Sequence, residues 1–196
     1  MNLTVRRLDH FSQVEEIYAS RMPQDFDPDE IRPLFSLRKS WERKEYICYG
    51  LSGSAGLVAY AFFVHRGRHL LLDYLAVSET HRGEGLGSAF LKELSDRIPD
   101  AECVLVEAQD PNAAQEEGER SLRQRRIGFY LRSGFYDTGL RSRVFGVDYC
   151  LLDRASGREV PVPGLREIYA DMYRSMLPPR LFDANFCIKE PCRSET

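Results

Sequence analysis

The chain has 196 residues, 43% of them hydrophobic and 29% charged, which suits one folded domain and excludes a disordered or fibrous polymer. A formal charge of −3 argues against a nucleic-acid-binding surface, which would need a net basic face. No apolar run reaches the length of a membrane span, and Met1 to Arg7 alternates like a strand instead of forming a signal-peptide core, so a cytoplasmic protein without a membrane partner is expected.

Leu3 to Leu8 reads as an opening strand. Val14, Ile17 and Tyr18 then recur at helical spacing, and Pro23 is expected to mark the end of that helix. Asp27-Pro28-Asp29-Glu30 has the form of a second helix start, with Asp27 as N-cap and a glutamate placed to complete a capping box, a reading preferred to a site for a cationic substrate. Tyr46 to Leu51, a Ser52-Gly53-Ser54 turn and Gly56 to Val64 predict an antiparallel hairpin. A second turn at Arg66-Gly67-Arg68 returns the chain as Leu70 to Val77, apolar on both faces like a central strand. His65 and His69 flank that turn without an acidic or thiol partner nearby in sequence, so they read as hairpin residues and not as metal ligands.

Leu86, Phe90, Leu94 and Ile98 fall on one helical face that Pro99 ends, and Cys103 to Glu107 forms a buried strand. The polar stretch Ala108 to Glu119 leads into a helix through Leu122, Ile127, Tyr130 and Leu131, with Gly134 as a left-handed C-cap. Strands around Arg143 to Asp153 and a last helix from Leu165 to Met176 complete the pattern. The order predicts an α/β (α+β) fold with one mixed sheet covered by helices, in a single domain over residues 1–196 whose segment 154–196 is an extension of unassigned role.

Cys48, Cys103, Cys150, Cys187 and Cys192 are odd in number and scattered, as expected of reduced and mostly buried thiols and not of a disulfide framework or zinc site. Only Cys187 and Cys192 are candidates for redox activity, and no metal site is expected.

The strongest local feature is Arg82-Gly83-Glu84-Gly85-Leu86-Gly87, between a buried strand and an amphipathic helix. Glycines let a ligand approach the backbone, and the amides and partial positive charge of a helix start favour an anion, so a phosphate or pyrophosphate is the natural occupant. Neither frame of the glycines completes G-x-G-x-x-G, because Ser88 or Phe90 stands at the last position, and Gly87-Ser88-Ala89 lacks the Walker lysine. Both the dinucleotide and the triphosphate readings weaken.

The arrangement resembles motif A of the GCN5-related N-acetyltransferase (GNAT) superfamily, with Arg82, Gly85 and Gly87 filling its signature. Phe129-Tyr130-Leu131-Arg132-Ser133-Gly134-Phe135 is similar to motif B, a helix that carries a tyrosine and ends at Gly-Phe. The resemblance implies a GNAT-like fold in which two parallel strands splay and the pantetheine of acetyl-CoA lies between them. It also implies that Leu75, Ala76 and Val77 contact the pantetheine and that Arg82, Gly83, Glu84, Gly85, Leu86, Gly87 and Ser88 hold the pyrophosphate. Arg123, Arg125 and Arg126 are candidates for the cofactor's terminal phosphate, weighed against a solvated helix face. The link from Ala108 to Ser121 is longer than in the commoner family arrangement; Arg123 stands where an asparagine is usual, and Asn112 is not assigned that role.

Acetyl transfer to an amine needs a neutral nucleophile, donors for the oxyanion and a proton for the departing thiolate. Tyr130 matches the superfamily's tyrosine acid, and Glu107, ending a strand beside the cleft, is the first candidate for the base. Asp73 is the second, since a carboxylate in so apolar a strand calls for a reason; for both, a structural hydrogen-bonding role is the alternative. The acceptor is expected to be a primary amine of a small molecule or protein. Tyr18, Met22, Phe26, Phe35, Trp41, Tyr169, Met172 and Tyr173 are candidate lining, most of them also fitting a core. A monomer or homodimer is expected.

The main rival is a non-catalytic acyl-CoA sensor that keeps the cofactor loop. A hydrolase, suggested by Ser54-Ala55-Gly56, lacks the first glycine of the elbow and its strand-to-helix setting.

Overall fold

The computed structural model describes residues 3–54, 56–98, 101–155 and 161–189. The chain forms two compact units, one of Met1–Arg66 with Leu72–Pro99 and the other of Gly67–Leu71 with Asp100–Thr196.

The first unit opens with β1 (Thr4–Arg7), α1 (Phe11–Ser20), α2 (Met22–Asp25), a 3-10 turn at Pro28–Glu30 and α3 (Leu34–Glu42). There follow β2 (Tyr46–Gly53), β3 (Gly56–Arg66), β4 (His69–Val77), a 3-10 turn at Glu79–His81 and α4 (Leu86–Arg97). β1 pairs antiparallel with β2 and β2 with β3, placing Val5 opposite Leu51 and Tyr46 opposite Val64, and β4 adjoins β3. Val58 to Val64 of β3 is buried throughout. The helices contribute Val14 and Ile17 from α1, Leu37 from α3, and Phe90, Leu91 and Leu94 from α4. The four-residue step from Phe90 to Leu94 puts both on one face, and burying each side chain contributes about 1.5–3 kcal/mol.

Two expectations change in this unit. α1 ends at Ser20, and Pro23 lies in the first turn of α2, so the proline begins a helix where it was expected to end one. The Asp27 region forms a 3-10 turn without a cap from the Asp27 side chain, and the next helix starts after Pro33. The competing interaction is with β4, since Tyr74 Oη donates to Glu30 O at 3.1 Å and accepts from Arg32 N at 2.7 Å. Those bonds hold backbone groups that a continuous helix would use.

The second unit contains β5 (Cys103–Gln109), a 3-10 turn at Pro111–Ala113, α5 (Glu117–Arg132), β6 (Tyr136–Val144) and β7 (Val147–Ala155). It ends with α6 (Val162–Met176), α7 (Pro179–Asn185) and β8 (Phe186–Lys189). β7 pairs antiparallel with both β5 and β6, and β8 adds to the other side of β6. Phe145 and Gly146 make the β6–β7 turn with φ of 46° and 83°, the left-handed pair a tight hairpin requires. Asp153 is fully buried in β7 and is satisfied by Tyr136 Oη at 2.8 Å and Val104 N at 3.2 Å. Gly134 has the left-handed φ of 89° expected of the α5 C-cap.

α7 and β8 carry no strong periodic signal and are not foreseen from the sequence. Phe186 secures them, with its ring centroid 4.7 Å from Tyr173, 5.0 Å from Tyr169 and 4.9 Å from Phe182.

The start of β4 belongs to this unit: Glu102 N donates to Arg68 O at 2.7 Å, and Glu102 meets Arg68 Nη1 at 2.9 Å and His69 Nε2 at 3.3 Å. His69 thus has an acidic neighbour that its sequence surroundings do not reveal. Among the described residues no group of three His, Cys, Asp or Glu side chains could hold a metal ion. Nor is any described helix long and apolar enough to cross a membrane.

Cys48, Cys103 and Cys150 are buried free thiols, and burial pushes Cys150 up to about 11 and Cys103 up to about 12. Cys187 is exposed, while Cys192, Pro99 and Ala55 lie outside the described residues.

Candidate active site

In the first unit, Leu75, Ala76 and Val77 end β4, and a 3-10 turn carries the chain into Arg82. Gly83 and Gly85 have φ of 84° and 76°, and a Cβ added at either would meet nothing within 4 Å. The requirement for glycine is therefore conformational, and open space lies beside the backbone. Gly85 is the N-cap of α4 and has no side chain to cap the first-turn amides. A pyrophosphate fits such a cradle, where a twelve-residue helix aims its amides and dipole at the opening.

The motif arginine is engaged within the protein. Arg82 Nε donates to Val77 O at 3.1 Å and Arg82 Nη2 to Asp25 Oδ1 at 3.1 Å. The Asp25 side chain is only 4% exposed; its Oδ2 also accepts from Tyr60 Oη at 3.2 Å and Arg21 Nη2 at 3.4 Å. Burial, with Asp25 adding to it, pushes the Tyr60 phenol well up.

Asp73, in the middle of β4, accepts from Arg32 Nη1 at 2.8 Å and from Tyr46 Oη at 2.5 Å. Arg32 also reaches Ser36 Oγ at 3.0 Å. Burial opposes the Arg32 charge, but Asp73 with its neighbours outweighs that and raises the guanidinium further. Here is the reason a carboxylate sits in so apolar a strand. It balances a part-buried cation.

In the second unit, Tyr130 is buried in the last turns of α5, edge-on to Phe129 at 5.0 Å and Phe135 at 5.5 Å. Burial pushes its phenol up to about 12, partly opposed by the Arg126 charge. Such a phenol keeps its proton throughout the neutral range and is available as a donor.

Glu107, near the end of β5, accepts from Tyr173 Oη, which lies 2.8 Å from Oε1 and 2.9 Å from Oε2. Tyr169 Oη also donates to Oε1 and lies 2.9 Å from Ser142 Oγ. Burial first, and Glu107 second, push the Tyr169 phenol well up. Tyr169 and Tyr173 are four apart on α6, so one helix face presents both phenols to one carboxylate. From the sequence they are candidates for acceptor lining or for the core; the structure places both phenols on Glu107. Their spacing was visible, but nothing near them in sequence pointed to β5.

Arg123 is held by Asp110 O at 2.7 Å and by Glu119, with its side chain 12% exposed, so the candidate for a terminal phosphate is already engaged. Asn112 lies in the 3-10 turn, its amide donating to Asp110 Oδ1 at 2.9 Å. Of the other candidate lining, Met22 and Met172 are core and Phe35 is exposed.

The model of the acetyltransferase (GNAT) family matches residues 12–135, a span that includes the glycine loop and Tyr130. Among solved structures, the chain is similar to the ribosomal-protein-S18-alanine N-acetyltransferase of Escherichia coli (16% identity, 81% of this chain and 96% of that one, TM-score 0.60). It is also similar to a GNAT-family protein of Bacteroides thetaiotaomicron (17% identity, 87% and 94% covered, TM-score 0.60). A third match is a Bacillus subtilis acetyltransferase solved in complex with CoA (12% identity, 79% and 99% covered, TM-score 0.55). No match to a curated protein sequence was found. At these identities the likeness shows the fold, a mixed α/β architecture.

Proposed function

The chain belongs to the acetyltransferase (GNAT) family, and from that premise we propose that it moves the acetyl group of acetyl-CoA to a primary amine of a small molecule or protein by direct attack. The observation that carries the reading is the open loop of left-handed Gly83 and Gly85 ahead of α4, inside the segment the family model matches.

Arg82 to Ser88 would hold the pyrophosphate and Leu75 to Val77 the pantetheine. Acetyl-CoA supplies an acetyl carbon activated as a thioester; the neutral amine bonds to it as the carbon–sulfur bond breaks. Tyr130 donates its phenolic proton to the departing sulfur, a role supported by burial that keeps the phenol protonated. Glu107 takes the proton that the amine loses. It is preferred to Asp73 because it stands near the end of β5, the strand expected to border the cleft, whereas Asp73 is committed to the Arg32 cation.

The test is release of free CoA thiol from acetyl-CoA across a panel of primary amines. Tyr130→Phe should lower turnover by about 10²–10⁴-fold while acetyl-CoA affinity stays within about twofold. Unchanged turnover removes Tyr130 from the reaction. Tight cofactor binding without thiol release from any amine would instead favour a sensor.

A further inference from the structure

The arginine of the glycine loop is the residue a reader would assign to the pyrophosphate by charge alone, yet its guanidinium is used inside the protein. One nitrogen bonds the carbonyl of Val77, the last residue of β4, and another bonds Asp25, the last residue of α2. Asp25 is itself fixed by Tyr60 of β3 and by Arg21, whose Nη1 donates to Leu57 O at 3.2 Å. The planar guanidinium thus spans the strand end and the helix end just before the first left-handed glycine.

We propose that Asp25 is a positioning residue for the cofactor loop, fixing Arg82 as a strut between β4 and α2 so that the backbone amides after it receive the pyrophosphate. This rests on the cofactor reading above. It makes a nearly buried carboxylate beside a phosphate-binding loop a help to anion binding. Simple electrostatics would make it a hindrance, because one more negative charge nearby repels a pyrophosphate. The two views predict opposite signs for its removal.

The experiment is direct titration of acetyl-CoA onto the full chain, with steady-state kinetics alongside. Asp25→Asn should weaken acetyl-CoA binding and raise its KM by about tenfold with kcat within about twofold, because a released strut misplaces the loop. Arg82→Lys keeps the charge but has one nitrogen for two acceptors, so it should weaken binding equally, and the double variant should be no weaker than either single one.

If Asp25→Asn binds equally or more tightly, or if Arg82→Lys restores parental affinity, the strut is overturned and Arg82 acts as a phosphate charge. Should Asp25→Asn fail to fold, Arg82→Lys decides alone. Failure of the parent chain to bind acetyl-CoA would overturn the cofactor reading and the strut together; binding by both parent and Asp25→Asn at equal strength overturns the strut only.

Discussion

Tyr173 and Glu107 are joined through a single phenol oxygen that lies 2.8 Å from one carboxylate oxygen and 2.9 Å from the other. With Tyr169 on the same carboxylate and Ser142 on Tyr169, the group is a continuous chain of hydrogen-bonded polar atoms within the second unit. Tyr169→Phe should cost about 1–3 kcal/mol, because it deprives both Glu107 and Ser142 of a buried partner. Urea unfolding monitored by fluorescence would read the loss, and a change below about 0.5 kcal/mol would mean that the chain of bonds is dispensable.

Asp73 and Arg32 form a largely buried ion pair of the first unit, with side chains 11% and 19% exposed. Asp73→Ala leaves the guanidinium and the Tyr46 hydroxyl without their acceptor and should destabilise by about 3–5 kcal/mol. Adding Arg32→Met should recover part of that cost, since the second change removes the stranded charge. Equal losses from the single and double variants, measured by thermal unfolding, would count against the pair.

Gly85 at φ 76° has room for a side chain but not the backbone for one. Gly85→Ala should therefore cost about 1–2 kcal/mol in stability, with Gly85→Asn less costly because asparagine tolerates the left-handed region. The added Cβ occupies the open side of the loop, so acetyl-CoA affinity should fall in both variants. A calorimetric titration showing undiminished affinity would place the pyrophosphate elsewhere.

Tyr130, pushed up from 10 to about 12 by burial, gives a pH prediction with a defined sign. Between those values the folded protein keeps a proton that the unfolded chain has lost, so this contribution to stability is complete below pH 10 and declines as pH rises towards 12. Stability of the parent chain should drop more steeply over that window than stability of Tyr130→Phe. Absorbance at alkaline pH would show the corresponding phenolate forming late, and ordinary titration near the free-tyrosine value would contradict the burial.

The sequence showed most clearly what depends on local repetition. The hairpin from Tyr46 to Val64, the α4 face of Phe90 and Leu94, and the left-handed Gly134 all follow from patterns a few residues long. Partners brought by chain reversal were hidden. Nothing around Asp73 announces Arg32, forty-one residues away, and nothing around Glu107 announces Tyr169 and Tyr173. Pro23 and Asp27 are ambiguous for a related reason: proline and aspartate suit helix starts and loop turns alike, and the hydrogen bonds that Tyr74 makes with Glu30 O and Arg32 N decide what the chain does around Arg32.

The bond from Glu102 N to Arg68 O has a consequence for the order of events during synthesis. Arg68 and His69 leave the ribosome more than thirty residues before Glu102, so the first residues of β4 wait for that partner while the glycine loop and α4 are already outside. The second unit therefore begins with a segment that cannot close until later chain arrives, and a stalled product ending before Glu102 would carry the whole glycine loop on a strand whose start still lacks this neighbour.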